Sequence, residues 1–486
     1  MFPYMAALLT IVLVTMSRES LPGPIVHPYS FEVLSNSRYS VHSGFTDSLP
    51  RQVLANVLWA MNRTPRLGVN RTFYVATRQG VYTYEPAGNV LVLHRAGDLR
   101  YSSSAAFEVG VACDRHEEAG MAVQAGLLAG VAFADSAGPG VASCPMKWAA
   151  DYANANWAPS KPILMVNLYG RAEVRGLDTT RIAACSDSSL SRPRTSGPDT
   201  FELVLMGLGQ DSVFSSLPLS AEVLSQLLWS GYGPTPHTVY NGRIGLTVPS
   251  PAASYHLTGR IYLVRDEGVD RYHNRLPSGS TSTADHRLER ILASDRRPEL
   301  RQACPRIPST GQAYIVVCVG DTGSYGPMQE AGFTAFQYLA QARALGLAGF
   351  VTAPLTRAER QDIALALGLP PGDHPAIVFA VGEPATGITE PKDSCIVEVI
   401  RARPVLEPDE ELTVEYLLRQ PGTVRIDVYD MLGRSVCILL DARQPAGVHR
   451  ITWNGRDENG HRVKIGSYVV NIQSQGSTSQ HKVAVF

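Results

Sequence analysis

The feature that most constrains the fold of this chain is an internal duplication. Four pairs of segments match in the same order along the sequence: 51–61 with 221–231, 73–84 with 261–272, 118–124 with 330–337, and 161–170 with 374–383. The offset between paired segments grows from 170 to 188 to 212 residues and never falls. Because ordered self-similarity specifies repeated structural units, we predict two similar halves, with 18 and 24 additional residues in two loops of the second.

Both copies show the same predicted order of elements. A helix with apolar residues at helical spacing, such as Val53, Val57 and Leu58, precedes a strand that ends in Gly-Val. A second strand, at 107–113 or 313–319, leads into a long helix that opens with Glu-Ala-Gly. In copy 2 the pattern predicts this helix over about 330–345, a further helix over 357–367 and a last strand, AIVFAVG. This order predicts an α+β fold with a mixed sheet and central helices.

The last part of the chain has a different pattern. From about Arg403 apolar and polar residues alternate in LTVEYLL, TVRIDVYD, HRITWNG, SYVVNIQ and HKVAVF, separated by Gly, Pro, Asn and Asp. This pattern predicts a small all-β sandwich over 403–486, joined to copy 2 by a linker at 385–394. We expect Trp453 and Tyr468 in its core, and glycines with positive φ in the turns Asn454-Gly455 and Asn459-Gly460.

The N-terminus and the composition limit the class of protein. The apolar run from Ala6 to Met16 is too short to span a bilayer and resembles the core of a signal peptide, so residues 1–26 are predicted as signal peptide and leader. The alternative is a first strand or helix of copy 1.

The net charge is −1 without a cluster of Lys or Arg, which argues against nucleic-acid binding. Seven widely spaced cysteines without a Cys-x-x-Cys pair favour buried free thiols over a metal site or disulfide framework.

Copy 2, residues 198–390, resembles the flavin-dependent nitroreductases, in particular the branch that includes azoline-oxidising enzymes. The resemblance lies in LSQLLWSGYG (224–233), TVPSPAASYH (247–256), MQEAGFTAFQYLAQARALGLAG (328–349) and LGLPPGDHPAIVFAVGEP (367–384). Copy 1, residues 27–190, resembles the same family more weakly through SRYSVHSGFTDSLP (37–50), ANVLWAMN (55–62) and EAGMAVQAG (118–126). Members of the family are homodimers that hold two FMN molecules between their subunits. The resemblance therefore implies a dimer fused into one chain, a pseudo-dimer able to exist as a monomer.

The resemblance also implies which residues would hold a flavin. An Arg-x-Ser-x-basic motif that grips the FMN phosphate corresponds to Arg38, Tyr39, Ser40 and His42 of copy 1, and a second phosphate-binding arginine to Arg171 or Arg175. A Pro-Ser loop that covers the flavin ring from the other subunit corresponds to Pro249, Ser250, Pro251 and Ala252 of copy 2. Copy 2 lacks the phosphate motif at 207–214 and copy 1 lacks the loop. These complementary losses imply one FMN per chain, between the halves.

The turn near the flavin N5 in this family corresponds to VTAPL (351–355) in copy 2 and to ADSAGPGVAS (134–143) in copy 1. The implied reaction is hydride transfer through the flavin from NAD(P)H to a small-molecule electron acceptor, which needs no side-chain nucleophile. Tyr255, His256 and Tyr338 lie in the matching segments, although a structural role is favoured for each. The alternative is a scaffold that no longer binds flavin.

The C-terminal sandwich resembles the FlgD-type immunoglobulin-like domain. The resemblance lies in VRIDVYDMLGRSV (424–436), PAGVHRITWNGRDENGHRV (445–463) and IGSYVVNIQ (465–473). Such domains, and the sorting domains of type IX secretion that they resemble, imply an exported protein that meets secretion machinery or a cell surface. Export fits poorly with a need for cytoplasmic nicotinamide. The alternative function is therefore an exported, non-catalytic protein whose flavin-enzyme body serves binding or attachment.

Overall fold

The computed structural model describes most of the chain. The described residues are 17–41, 44–46, 48–134, 141–172, 176–185, 190–239, 242–250, 253–275, 283–385, 398–402, 405–406, 411–418, 421–430, 433–445, 447–474 and 477–485. The apolar run predicted as part of a signal peptide and nearly all of the predicted linker lie outside them. Within these ranges, no helix has both the length and the apolar character needed to cross a membrane.

Copy 1 contains four helices and seven strands among the described residues. In chain order they are β1 (Arg18–Ser20), α1 (Phe31–Ser37), α2 (Arg51–Arg63), β2 (Thr72–Ala76), β3 (Gly80–Glu85), β4 (Val90–Ala96), β5 (Phe107–Ala112), α3 (His116–Val131), β6 (Val141–Met146), α4 (Lys147–Asn156) and β7 (Ile163–Arg171). They form one sheet of order β1-β4-β3-β2-β5-β7-β6. The long helix α3 is buried along almost its whole length.

Copy 2 repeats this architecture with additions. Its elements are α5 (Phe201–Met206), α6 (Ala221–Tyr232), β8 (Pro234–Thr238), β9 (Ile244–Leu246), β10 (Ile261–Arg265), β11 (Gly268–Arg275), β12 (Ala284–Leu292), α7 (Arg297–Ala303), β13 (Ala313–Val319), α8 (Tyr325–Ala344), β14 (Ala348–Thr352), α9 (Arg357–Ala366) and β15 (His374–Gly382). Its main sheet has the order β12-β11-β10-β13-β15-β14, which is the order of copy 1 without β1. The prediction of two tandem α+β halves is confirmed. The hairpin β8–β9 and helix α7 lie in the two places where the repeat offset increases.

The prediction of a mixed sheet was wrong, because every strand pair described in these two sheets is antiparallel. The reason lies in the path after the central strand. Helix α3 connects β5 to β6. Strand β6 is parallel to β5 but is not adjacent to it, because one strand position lies between them. Strand β7 then returns between them and pairs antiparallel with both. Strands β13, β14 and β15 follow the same path.

The two halves meet where the central helices α3 and α8 cross. A Cβ atom added to Gly120 would lie 2.4 Å from the backbone oxygen of Gln329, and one added to Gly332 would lie 2.2 Å from that of Glu117. Gly120 and Gly332 are equivalent in the repeat, and so are Glu117 and Gln329. The contact is therefore reciprocal, as at the interface of a symmetric dimer. Glycine is required on both helices because their backbones touch.

A second reciprocal contact joins the short helices α1 and α5. Their N-cap residues, Ser30 and Thr200, are equivalent in the repeat and form an isolated β-bridge with each other. The rings of Phe31 and Phe201 stack nearby, with centroids 6.4 Å apart. One apolar cluster runs through both copies and includes Phe31, Phe201 and Phe336. The halves therefore share a core, which makes residues 17–385 one unit, called the body below.

The C-terminal domain is the predicted small all-β sandwich. Its strands are β16 (Glu398–Ala402), β17 (Val405–Leu406), β18 (Leu412–Leu418), β19 (Gly422–Asp430), β20 (Ser435–Gln444), β21 (Gly447–Trp453), β22 (Gly466–Ser474) and β23 (Ser477–Val485). They form sheets of order β16-β18-β21 and β17-β23-β22-β19-β20. Trp453 and Tyr468 are buried in the core between the sheets, as predicted. Gly455 and Gly460 have φ values of 72° and 79°, which confirms the two turns.

The cysteines whose side chains are described are free thiols. Cys113, Cys304, Cys318 and Cys437 are buried, and Cys185 is half-buried. Burial raises the pKa of the Cys113 and Cys304 thiols to about 11. A thiol held protonated in this way is a poor nucleophile. For these five residues, the interpretation as small packing residues is confirmed.

Candidate functional site

Arg38 follows helix α1 and is buried against copy 2. Its Nε donates to the carbonyl oxygen of Thr247 at 3.2 Å, and its Nη2 donates to those of Leu246 and Val248 at 3.1 and 3.0 Å. Its Nη1 donates to Ser40 Oγ at 3.0 Å. At least four of the five N–H groups of this guanidinium are therefore used inside the protein. In this arrangement Arg38 fastens copy 1 to the loop that leads into the Pro-Ser segment.

The carbonyl of Thr247 is a junction between the two halves. Besides Arg38, it accepts hydrogen bonds from Gln124 Nε2 of α3 at 3.2 Å and from Gln337 Nε2 of α8 at 3.1 Å. All three donors are buried. These contacts hold the backbone before Pro249 in one position. Neither glutamine was predicted as a site residue, although a glutamine within the apolar run of each central helix indicates that a buried polar partner exists.

Ser250 belongs to a buried hydrogen-bond network around Glu330 of α8. The Glu330 carboxylate, which is 0% exposed, accepts from Tyr232 Oη at 2.6 Å, from the His256 backbone N–H at 2.9 Å and from Ser250 Oγ. His256 Nδ1 lies 2.7 Å from Glu330 Oε1, and the ring is 34% exposed. The hydrogen bond to Glu330 raises the pKa of His256. The loop thus carries a half-exposed imidazole held by a buried carboxylate.

The equivalent carboxylate of copy 1 has different partners. Glu118 accepts from Arg71 Nη1 at 2.6 Å and from the Leu67 backbone N–H at 2.7 Å. Neither the Arg71 nor the Glu118 side chain is exposed. Burial lowers the pKa of Arg71 to about 10, so the guanidinium remains charged at neutral pH. Glu118 and Glu330 occupy the same position of the repeat. Glu118 pairs with a permanently charged arginine, whereas Glu330 pairs with a histidine whose charge depends on pH.

Arg171 lies at the end of β7, beside Thr46 and Ser48 of copy 1. Its backbone pairs with Thr46, and its Nε donates to the Ser48 carbonyl at 2.8 Å. In copy 2 the equivalent backbone hydrogen bond runs from the Ser215 N–H to the Glu383 carbonyl at 2.8 Å, so a residue with a carboxylate occupies the position of Arg171. Tyr39 and Ser40 are half-buried and Pro249 is buried. His42, Arg175, Pro251, Ala252 and the Gly138–Gly140 turn lie outside the described residues.

The repeat creates two equivalent half-sites, each formed by segments of both copies. The first half-site consists of residues 38–40 and Arg171 of copy 1 with the loop 246–250 of copy 2. The second half-site is its counterpart, formed by residues 207–214, 350–354 and Glu383 of copy 2 with residues 64–69 of copy 1. At the first half-site the structure brings Arg38, with Ser40 bound to it, onto residues 246–248 directly before Pro249, whereas the second half-site contains neither motif.

A His256→Gln substitution should lower the stability of the body, and the loss should depend on pH. The folded-state pKa of His256 is raised above 6.5, so its ion pair with Glu330 stabilises fully below pH 6.5 and is lost as the pH rises through the folded pKa. We expect a cost of about 1–2 kcal/mol below pH 6.5 and less above it. Urea unfolding from pH 5 to 9 measures this, with exposed His374→Gln as control. An equal loss at all pH values would contradict the ion pair.

The body is similar in fold to solved structures of nitroreductases. A protein from Anabaena variabilis assigned as a nitroreductase matches with a TM-score of 0.50 and 11% identity, over 75% of this chain and 94% of its own. The body has the nitroreductase fold. This match is too long to lie within one half, so it spans both halves of the nitroreductase-like body. A Ralstonia eutropha protein with the same assignment matches at 22% identity and a TM-score of 0.33, over 44% of this chain and 97% of its own.

The C-terminal domain matches a different family. Residues 402–478 match the family model described as FlgD Ig-like domain. The solved structure of FlgD from Pseudomonas aeruginosa matches at 24% identity and a TM-score of 0.16, over 19% of this chain and 76% of its own. No curated protein matches the sequence. The nitroreductase-like body and the FlgD-type sandwich are thus the two parts that the sequence analysis expected.

Proposed function

We propose that the body binds one FMN at the first half-site and acts as a flavin-dependent oxidoreductase. The observation that carries this proposal is the asymmetry between the half-sites. At the first, Arg38 of copy 1 donates to the loop before Pro249–Ser250 of copy 2, and Arg171 pairs with Thr46 and Ser48, which follow residues 38–40 in the chain. At the second, Glu383 occupies the position of Arg171 and would repel a phosphate dianion. The predicted domains 27–190, 198–390 and 403–486 belong to this proposal, with the strands Arg18–Ser20 and Glu398–Ala402 added before the first and the last of them.

The residues of the first half-site fit an FMN phosphate with one change in their roles. Most N–H groups of Arg38 donate to carbonyls of the loop 246–248. We therefore expect Arg38 to hold this loop in place and not to bind the phosphate. The Nη groups of Arg171 make no hydrogen bond with any residue that the structure describes, which suits a planar bidentate contact to a phosphate. Ser40 Oγ, which already accepts from Arg38, can donate its own proton. We therefore propose Arg171 and Ser40 as the phosphate partners.

The chain's own residues would position the reactants. Bound FMN would supply the hydride chemistry, with NAD(P)H as donor and a small electron-poor molecule as acceptor. The Thr247 junction fixes the backbone before Pro249, so the loop can cover a flat ring without rearranging. The Glu330 carboxylate holds Ser250 and His256 in place. His256 Nε2, on the exposed side of that pair, can give a proton to a reduced acceptor, which needs protons as well as electrons.

An Arg171→Gln substitution should weaken FMN binding about 10- to 100-fold, because a charge-assisted bidentate contact is replaced by a neutral one. Titration of the protein with FMN, followed by the quenching of flavin fluorescence, measures the affinity. The matched control is Arg95→Gln, an exposed arginine on β4 that donates to the Asn156 carbonyl. Unchanged affinity in Arg171→Gln would contradict the assigned phosphate contact.

A second candidate function is an exported, non-catalytic protein that uses the body for binding or attachment to a surface or to secretion machinery. Two observations favour it. Arg38 and Ser250, two of the predicted flavin contacts, already have partners within the protein. The FlgD Ig-like match also points to an exported protein. The two functions differ in one simple result: a scaffold would remain colourless and would not take up added FMN.

A further inference from the structure

A cleft of about 460 Å³ lies at the second half-site. Its walls are residues 66–69 and Arg115 of copy 1, and Gln210, Arg306 and residues 350–354 of copy 2. Gln210 is the repeat equivalent of Ser40, and Gln210 Oε1 accepts from the Val351 backbone N–H at 2.8 Å. The segment equivalent to the phosphate motif is therefore folded onto β14 of its own half. The second half-site has lost its flavin elements but keeps an open volume between the halves.

Three arginines line this cleft, and two of them have no anionic partner at contact distance among the residues that the structure describes. Arg66 is exposed and Arg115 is half-buried, and neither guanidinium forms a hydrogen bond or ion pair with a residue in the described ranges. The third, Arg306, is bound by Glu359 at 2.8 and 2.9 Å and donates to the Pro354 carbonyl. The wall of the cleft thus offers two guanidinium groups with donors to spare.

The nearby carboxylates do not cancel this charge. Glu118 is held by Arg71 and Asp114 by Lys161. Glu117 attracts Arg115 electrostatically, but it is only 4% exposed and does not line the cleft, and burial raises its pKa. Arg115 is also the N-cap of the sixteen-residue helix α3, where no side chain caps the backbone N–H groups. The positive end of the helix dipole therefore adds to the arginines.

We propose that this cleft is a separate binding site for a small anionic molecule bearing phosphate or carboxylate groups. Its volume lies within the range of about 300–1,000 Å³ that is typical of small-molecule sites, so it can hold more than a single ion. Arg66 reaches the ligand from the loop after α2, and Arg115 reaches it from the start of α3. The site does not depend on the proposed flavin, because it shares no residue with the first half-site.

Calorimetric titration of the full chain with pyrophosphate tests the proposal. Wild type should bind one pyrophosphate, and Arg66→Gln and Arg115→Gln should each weaken binding about tenfold, as loss of a charged hydrogen-bond donor does. The double variant should bind more weakly than either single variant. Arg95→Gln is the matched control and should bind as wild type does. A parallel titration with citrate shows whether carboxylates serve as well as phosphates.

The titration is repeated on the chain loaded with FMN. Unchanged pyrophosphate binding in the loaded chain supports a separate site, and so does binding in a preparation that takes up no FMN at all. The proposal is overturned if wild type binds neither probe at millimolar concentration, or if the double variant binds as tightly as wild type. It is also overturned if the chain takes up two flavins and the second displaces pyrophosphate, because the cleft would then be a flavin site.

Discussion

A Gly332→Ala substitution is expected to lower the free energy of unfolding of the body by about 3 kcal/mol or more. The added Cβ would meet the backbone oxygen of Glu117 at 2.2 Å, and backbone in the middle of a buried helix pair has no room to move. Gly120→Ala should have a similar effect, because its Cβ would meet the Gln329 oxygen at 2.4 Å. The two changes act at one crossing point, so their effects should not add fully in the double variant.

The matched control for these variants is Gly126→Ala in the same helix, α3. There the nearest atoms to a new Cβ are Met61 Cγ and Sδ, at 2.7 and 2.9 Å. A methionine side chain can shift, and alanine is the better helix former, so we expect a change of about 1 kcal/mol or less. Urea unfolding followed by tryptophan fluorescence measures all three. If Gly332→Ala were as stable as wild type, the helices could not cross as described.

An Arg71→Met substitution should destabilise the body by about 3–5 kcal/mol, because it leaves the Glu118 carboxylate buried without its partner. The Arg71–Glu118 pair is not exposed at all. The double variant Arg71→Met/Glu118→Gln should recover part of the loss, since no buried charge then remains. The double variant would still lose the hydrogen bonds that Arg71 Nη2 donates to the carbonyls of Met61 and Thr64.

The control for the ion pair is an exposed one. Arg51 and Glu19 pair at 2.8 Å with side chains 48% and 34% exposed, and Arg51→Met should cost less than about 1 kcal/mol. Chemical unfolding of wild type, Arg71→Met, Glu118→Gln and the double variant gives the coupling energy of the buried pair directly. A cost for Arg71→Met no greater than that for Arg51→Met would show that the Arg71–Glu118 contact contributes little to stability.

Much of the fold could be predicted from the sequence, because the same order of helices and strands occurs in both copies. The matched segments of the copies gave the two halves, and the alternation after Arg403 gave the sandwich. The antiparallel return of β7 and β15 could not be predicted, because strand direction depends on which neighbours pair and not on side-chain periodicity. A local pattern carries no information about a strand's partner.

The candidate site shows the same limit at the level of single residues. The motif at 38–40 was recognisable, but a guanidinium suits backbone carbonyls as well as phosphate. Only the folded chain shows that Leu246, Thr247 and Val248 present three carbonyls to Arg38. The different partners of Glu118 and Glu330 are also long-range contacts, with Arg71 in one half and His256 in the other. The open cleft at Arg66 and Arg115 was not predicted, because its walls come from segments that are far apart in the sequence.

The number of flavins bound per chain tests the central claim most directly, namely that the body is a fused pseudo-dimer with one flavin site. The purified chain is saturated with FMN and desalted, and the flavin released on denaturation is measured against protein concentration. One FMN per chain is the predicted result, and Arg171→Gln should reduce it while Arg95→Gln does not. Two per chain would contradict the asymmetry of the half-sites, and none would contradict the flavin site itself.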